Sequence, residues 1–252
     1  LLNVGFIFFF ENELLFWIFQ ISLLVCIVYN IVLLIPYTPL FNFKKKCKNQ
    51  NNKESISILS INVYQFNKNY KELLSLIEEV NPDIILTMES NQAWENGLSV
   101  IEKKYPNNLK LGLENTYGMH FYTRLKSTHI KANYFTSDDI PSVEANLITR
   151  NGDKFTFFGV HPPPPSPTEE ETSKERDGEL LSVAKKVVKK ANPVVVVGDF
   201  NSVAWAKSSI LFRKTSELID CRIGRGFVST FHAKYKLFRF PIDLFFHSPS
   251  IF

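Results

Sequence analysis

At 252 residues the chain has the length of one large domain or two small ones. Its formal charge of +4 is too mild to establish a polyanion partner, and Cys26, Cys47 and Cys221 lack the paired spacing of a disulfide framework or a thiolate metal cluster. The 23 Phe and 9 Tyr fall largely in the N-terminal segment and in strand-like runs, a distribution that fits buried packing better than base stacking.

Leu1 to Phe10 reads as the tail of a preceding span, and Glu11-Asn12-Glu13 as a tight polar turn. From Leu14 to Ile35 the sequence LLFWIFQISLLVCIVYNIVLLI runs for 22 residues without a charge. A helix needs roughly 20 apolar residues to cross a bilayer, and the amides of Gln20 and Asn30 are tolerable within a helix pair. A cleaved signal peptide is the competing reading; the length of the stretch and the lack of a basic n-region or small-residue cleavage site speak against it. Pro36 and Pro39 stop the helix. Lys44, Lys45, Lys46, Lys48 and Lys53 follow, a flank that favours the cytoplasmic side and anionic lipid or simply forms a solvated linker.

Ser55 to Val63 predicts a strand that ends at a polar rim. Leu73, Leu74, Ile77 and Val80 give Tyr70 to Val80 one buried helical stripe. Asn81-Pro82-Asp83 is a turn, and Ile84 to Met88 a short buried strand ending at Glu89. Gly97 to Lys104 suggests a helix, and Tyr117 to Tyr122, Asn133 to Phe135 and Val143 to Thr149 further strands. Asn151-Gly152 predicts a two-residue hairpin turn into Lys154 to Val160. The prolines after His161 carry the chain out of the sheet. Glu169 to Glu171, Asp177 and Glu179 read as a solvated acidic patch before a helix over Leu180 to Val188. Val194 to Val197 is the most clearly buried strand, and Phe227 to Phe231 and Phe238 to Phe246 are strand-like. Hairpins mixed with strand-helix-strand units imply an α+β or α/β sandwich with helices outside.

Four strands end in residues able to bind metal or phosphate: Asn62, Glu89, His161, and Asp199 with Asn201. The alternatives are a plain surface residue for Glu89 and an Asx-turn cap for Asp199. Phe200 can point inward while Asp199 and Asn201 face the rim, as residues i and i+2 of a strand do. Carboxylate, amide and imidazole donors without thiols suit Mg²⁺ or Mn²⁺ better than zinc. Hydrolysis of a phosphate ester needs an activated water, a cation on the non-bridging oxygens and neutral donors for developing charge. In that scheme Glu89 holds the metal, Asp199 orients water, and Asn201 and His161 donate to phosphate. The chain has no G-x-x-x-x-G-K-[ST] loop and no G-x-S-x-G elbow. His120 reads as packing, and His129 and His232 as surface. Trp205 floors the pocket or packs under the loop, Arg222 and Arg225 touch phosphate or are solvated, and Tyr64, Asn67 and Asn69 line the rim.

These motifs resemble the endonuclease/exonuclease/phosphatase superfamily, in a branch with N-terminal spans. Ile58 to Asn62 resembles its first core strand, and PDIILTME (82–89) the segment ending in its principal metal ligand, with Met88 in place of the usual Gln. Gly118 to Arg124, Gly159-Val160-His161-Pro162 and Gly198-Asp199-Phe200-Asn201 are similar to three further motifs, the last being the most specific. Pro241-Ile242-Asp243 is similar to the segment whose Asp orients a terminal catalytic His; Leu244 departs from the pattern, and His247 is no substitute. The resemblance covers about residues 54 to 252.

It implies an α+β fold, the DNase I-like four-layered α/β sandwich, preceded by a transmembrane helix. It places Asn62 and Glu89 at a Mg²⁺ (or Mn²⁺) and makes His161, Asp199, Asn201 and Asp243 catalytic. The expected organisation is transmembrane segment(s) over 1–39, a basic linker over 40–54 and the catalytic domain over 55–252. A start within an apolar run and the absence of a closing Ser-Asp-His motif further predict an internal fragment, with activity expected of the continued protein rather than of this piece. The expected activity is metal-dependent phosphoester hydrolysis with DNA, RNA or phospholipid as substrate. The alternatives are a lipid or small-headgroup phosphatase or phosphodiesterase, or an inactive membrane-tethered scaffold. The bilayer is an expected partner, no protein partner is predicted, and the expected location is the bacterial inner or cell membrane, with the side of the soluble domain open.

Overall fold

The computed structural model describes residues 13–41, 54–164, 173–233, 235 and 239–251. The proposed first span over Leu1 to Phe10, the lysine run from Lys44 to Lys53 and Glu169 to Glu171 lie outside them. Contacts divide the chain into two compact units, Leu1–Phe43 with Ile223–Gly226, and Lys44–Arg222 with Phe227–Phe252.

The first unit is built on α1 (Glu13–Leu34), none of whose residues is buried, followed by a 3₁₀ turn over Ile35–Tyr37. Together, Glu13–Tyr37 has a hydropathy of 2.6 and is long and apolar enough to cross a membrane. Two of the polar side chains inside it bond to the helix itself. Asn30 Nδ2 donates to the Cys26 carbonyl at 2.8 Å and Ser22 Oγ to that of Phe19 at 2.7 Å, which lowers the cost of holding them in an apolar medium.

The second unit is a two-sheet sandwich. Strands β1 (Ile58–Asn62), β2 (Ile84–Met88), β3 (Asn107–Leu111) and β4 (Met119–Thr123) form one sheet in the order β1-β2-β4-β3. Strands β5 (Lys126–Tyr134), β6 (Pro141–Ile148), β7 (Lys154–Val160), β8 (Val194–Asp199), β9 (Ile219–Asp220) and β10 (Asp243–His247) form the other, in the order β5-β6-β7-β8-β10-β9. Each sheet contains one parallel pair, β1 with β2 and β7 with β8. A parallel pair needs a crossover, and the crossovers carry α2 (Tyr70–Val80) and α4 (Lys174–Val188). The helix α3 (Gln92–Leu98) joins α2 on the outside of the first sheet, and α5 (Lys207–Ser216) contacts α4.

Burial defines the four layers. Leu86, Met88, Phe121, Phe157, Val195 and Val197 fill the space between the sheets. Leu73, Ile77, Trp94 and Leu98 pack on Ile85 and Tyr122, on the opposite face of the first sheet. On the outside of the second sheet Phe212 meets Phe200 and Phe246, with ring centroids at 5.2 and 5.0 Å.

Several sequence expectations are corrected. Helix α4 begins at Lys174, and Glu179, expected in a solvated patch, is fully buried and accepts from Ser142 Oγ at 2.7 Å and Thr136 Oγ1 at 3.0 Å. Two hydroxyls thus replace water around a carboxylate on an otherwise apolar helix face. The α3 helix starts earlier than Gly97 because the Asn91 side chain caps it, accepting from Trp94 N–H. The loop after Ile148 holds three residues between Thr149 and Asp153, and among Arg150, Asn151 and Gly152 only Gly152 has positive φ (91°). That is the three-residue hairpin, not the two-residue one. Phe227 to Phe231 forms only an isolated bridge from Phe231 to Phe240. Strand β3, helix α5 and strand β9 were not foreseen.

Candidate active site

Parallel pairing decides where the site lies. Asn62 ends β1, Glu89 follows β2, His161 follows β7 and Asp199 ends β8, so all four stand at the carboxyl ends of the two parallel pairs. Both pairs point to one rim, the usual place for a ligand in parallel sheets. Strand β10 runs antiparallel to β8 with Asp243 opposite Asp199, so its first residue arrives at the same rim.

The side chains meet there. Asn62 Nδ2 donates to Glu89 Oε1 at 2.6 Å and to Asp199 Oδ2 at 3.3 Å, bridging carboxylates from the two sheets. The Asn201 backbone N–H donates to Asp199 Oδ1 at 2.9 Å, and Asn201 Nδ2 to the Pro162 carbonyl, next to His161, at 3.0 Å. His161 is buried, with its ring centroid 5.7 Å from that of Tyr117. Thr230 Oγ1 accepts the Asp243 N–H at 3.2 Å. All six sequence candidates, Asn62, Glu89, His161, Asp199, Asn201 and Asp243, therefore belong to one cluster.

Asn201 reaches it differently from expected. Strand β8 stops at Asp199, and Asn201 turns into the left-handed region (φ 46°), so its place is set by this turn and by its bond to Asp199 rather than by strand alternation. Phe200 does point away, fully buried. Tyr64 (φ 58°) and Glu89 (φ 55°) are also left-handed. Three of the seven described non-glycine residues with positive φ thus stand on this rim, each costing about 1 kcal/mol or more, and such strain concentrates at functional sites.

Burial raises the Asp199 carboxyl above its ordinary value, against the lowering effect of its bonds from Asn201 and Asn62. Asp243 is pushed up to about 6, first by burial and then by the Asp199 charge, while Thr230 and the His161 charge oppose the shift. Its Oδ1 is buried without a hydrogen-bond partner. Three clustered carboxylates, one with an orphaned oxygen, call for a proton or a cation. The donor set suits a hard cation. Among the described residues no three His, Cys, Asp or Glu side chains form a ready metal cage.

Two contributions escaped the sequence. The Met88 sulfur, where the motif usually carries Gln, accepts the Asp199 N–H at 3.1 Å across the sandwich. Arg176, in the first turn of α4, donates from Nη1 to the Asn201 carbonyl at 3.1 Å and from Nε and Nη2 to Asp177 Oδ1 at 3.0 and 2.9 Å. No local signal marks a residue 25 positions away from its partner. Arg222, expected in a flexible loop, is instead buried and forks onto Asp220. His120 is buried as packing, as expected, and His247 sits opposite Val195, at the far end of β10 from the site.

The model of the Endonuclease/Exonuclease/phosphatase family matches residues 59–252. Among solved structures, humanized D. rerio TDP2 is similar at 20% identity with a TM-score of 0.61, covering 77% of this chain and 83% of that one. D. rerio TDP2 in complex with a single-strand DNA product is similar at 18% identity and TM-score 0.57, with 77% and 83% covered. A Bacteroides thetaiotaomicron mannosyl-6-phosphatase gives 18%, 0.60, 78% and 86%. Comparison with curated proteins yields no match.

Proposed function

The chain belongs to the Endonuclease/Exonuclease/phosphatase family, and from that premise we propose that it is a divalent-metal-dependent phosphoester hydrolase. The observation that carries this reading is the Asn62 amide bridging Glu89 and Asp199 from opposite sheets. Glu89 and Asn62 hold the ion, Mg²⁺ or Mn²⁺, which when bound supplies positive charge to the phosphoryl oxygens.

Asp199 takes the proton of the attacking water. A buried carboxylate with raised affinity for a proton is a better base than a solvated one, and the Asn201 N–H on one oxygen and the Asn62 amide on the other orient it. The Asn201 amide and the His161 ring donate to the phosphoryl oxygens as charge builds there. Asp243 supplies negative charge to an imidazole on this wall; the His161 charge is the one that acts on it. The filled Glu89, Asp199 and Asn201 positions favour an enzyme over an inactive scaffold. Relatives named for a single-strand DNA product and for a mannosyl phosphate support the phosphoester class without choosing within it. The Glu13–Tyr37 helix supports membrane attachment.

The test is hydrolysis of bis-nitrophenyl phosphate, DNA, RNA and phospholipid by the full chain, with Mg²⁺ or EDTA. Asp199→Ala and Glu89→Ala are each expected to lose a factor of about 10² or more. Turnover that survives EDTA or both substitutions sinks the reading.

A further inference from the structure

The loop over 112–118, between β3 and β4, contributes no residue to the chemistry proposed above, yet it is tied to the segments that do. Met119 stands opposite Met88, so the loop lies at the carboxyl end of β2, on the rim. The Gly118 carbonyl accepts the Ser90 N–H at 3.0 Å, next to Glu89, and a Cβ on Gly118 would lie 2.1 Å from the Ser90 carbonyl oxygen. The Asn91 side chain donates to Glu114 Oε2 at 2.9 Å. Asn115 Oδ1 accepts the Tyr117 N–H at 3.1 Å, and its Nδ2 donates to the Asp139 carbonyl at 3.2 Å. The Tyr117 ring then lies against His161, tilted by 48° with centroids 5.7 Å apart.

One further tie comes from the metal side. Gln65 is buried, three positions after Asn62, and its amide serves two backbone groups of this loop. Nε2 donates to the Glu114 carbonyl at 3.0 Å, and Oε1 accepts the Thr116 N–H at 2.8 Å. Thr116 is left-handed (φ 68°), an outlier for a β-branched residue, and such a backbone persists only where its surroundings over-determine it. Gln65 supplies that restraint immediately before Tyr117. The turn that carries Gln65 is itself fixed, since the Tyr64 N–H donates to Asn62 Oδ1 and the Val63 N–H to the Met88 carbonyl, both at 3.0 Å.

We propose that Gln65 is a positioning residue that sets His161 relative to the Asn62–Glu89 pair, acting through Thr116 and Tyr117. The proposal rests on the phosphoesterase reading above, in which His161 donates to the phosphoryl oxygens. Charge builds on those oxygens in the transition state, so a displaced donor costs rate more than it costs binding. An amide suits the task, because it offers a donor and an acceptor in one plane and brings no charge into a cluster of carboxylates. Its burial keeps water from replacing either bond once the amide is removed.

The test uses the full chain in detergent micelles, with its histidines carbon-13 labelled for NMR. Gln65→Met keeps the length of the side chain and removes both bonds. It is expected to lower kcat on bis-nitrophenyl phosphate about tenfold, with KM changed by less than about twofold. It is also expected to move the ring signals of His161, assigned by their loss in His161→Ala, because the Tyr117 ring beside them shifts. Tyr117→Leu is expected to reproduce the loss of kcat, and the double variant to cost little more than either alone, since both act through one ring. Where Gln65→Met fails to fold, Gln65→Glu, which keeps the acceptor for Thr116 and loses the donor, is read by the same measures. An unmoved His161 signal overturns the proposal, as does a fully additive loss in the double variant. A lowered urea midpoint with kcat retained also overturns it and makes Gln65 a loop staple only. Failure of the wild type on every ester overturns the phosphoesterase reading, and the His161 signal then decides the positioning alone.

Discussion

Asn201 is fixed through nearly all of its polar groups: its N–H by Asp199, its carbonyl by Arg176, its amide nitrogen by the Pro162 carbonyl. A left-handed backbone at a non-glycine residue is held only when its surroundings over-determine it, and Arg176, 25 positions away, supplies one of these restraints. It is a positioning residue. Arg176→Ala is expected to lower kcat about tenfold with KM nearly unchanged, since a slack transition-state donor costs rate more than binding. In an Asn201→Ala background the same change should cost little more. An undiminished loss in that background would show that the guanidinium acts elsewhere, and steady-state kinetics on the four proteins separates the two outcomes.

At the scale of the element, the approach of β7 to β8 explains the glycine in the sequence GDFN. Gly198 has φ 154°, and a Cβ there would lie 1.8 Å from the Val160 carbonyl oxygen and 2.9 Å from its carbon. Backbone cannot yield as a flexible side chain does, so Gly198→Ala is expected to destabilise the fold by about 3 kcal/mol or more, read from the urea midpoint. On the first sheet, β4 holds His120 fully buried, with neither ring nitrogen hydrogen-bonded, and burial pushes its pKa down to about 4 from 6.5. Above pH 6.5 the ring is neutral folded or unfolded. Between about 6.5 and 4 the unfolded chain takes up a proton that the folded one refuses, so stability falls as pH drops through that window, by about 3 kcal/mol in total. Below pH 4.5 Glu144 adds to the loss. Although burial raises its pKa, the bonds from Lys190 and Lys186 hold it down to about 2, and that support disappears as the carboxylate is protonated. His120→Leu is expected to flatten the upper window alone. Urea titrations at pH 7 and 4.5 measure it, and an unchanged slope would locate the acid sensitivity elsewhere.

At the scale of the whole molecule, the site exists only where two sheets are clasped together, and the clasp concentrates like charge. A cation that binds this rim in the folded state and not in the unfolded chain raises the melting temperature by mass action. Millimolar Mg²⁺ is expected to raise the Tm of the full chain by about 4 °C and to leave that of Glu89→Ala unmoved. An equal rise in both proteins, followed by calorimetry, would detach the ion from Glu89.

Local chemistry determined much of this protein from sequence. Strands β2 and β8, helix α2 and the apolar helix before the sandwich were legible because each is a continuous apolar run or a periodic stripe whose burial follows from its own composition. Asn62, Glu89, His161, Asp199 and Asn201 stood out as polar residues ending apolar strands, and Asp243 through its motif. Tertiary structure alone decided the rest. The pairing of Asp199 with Asp243 depends on the register of β8 against β10, which neither strand encodes by itself. The Arg176 and Met88 contacts join residues distant in sequence, through partners that only packing brings near. Glu179 read as solvated, and Arg222 as solvated or touching phosphate, because charge prefers water, yet both are buried where hydroxyls in one case and a carboxylate in the other replace that water. Periodicity reports which face of an element is covered; it carries no information about what covers it.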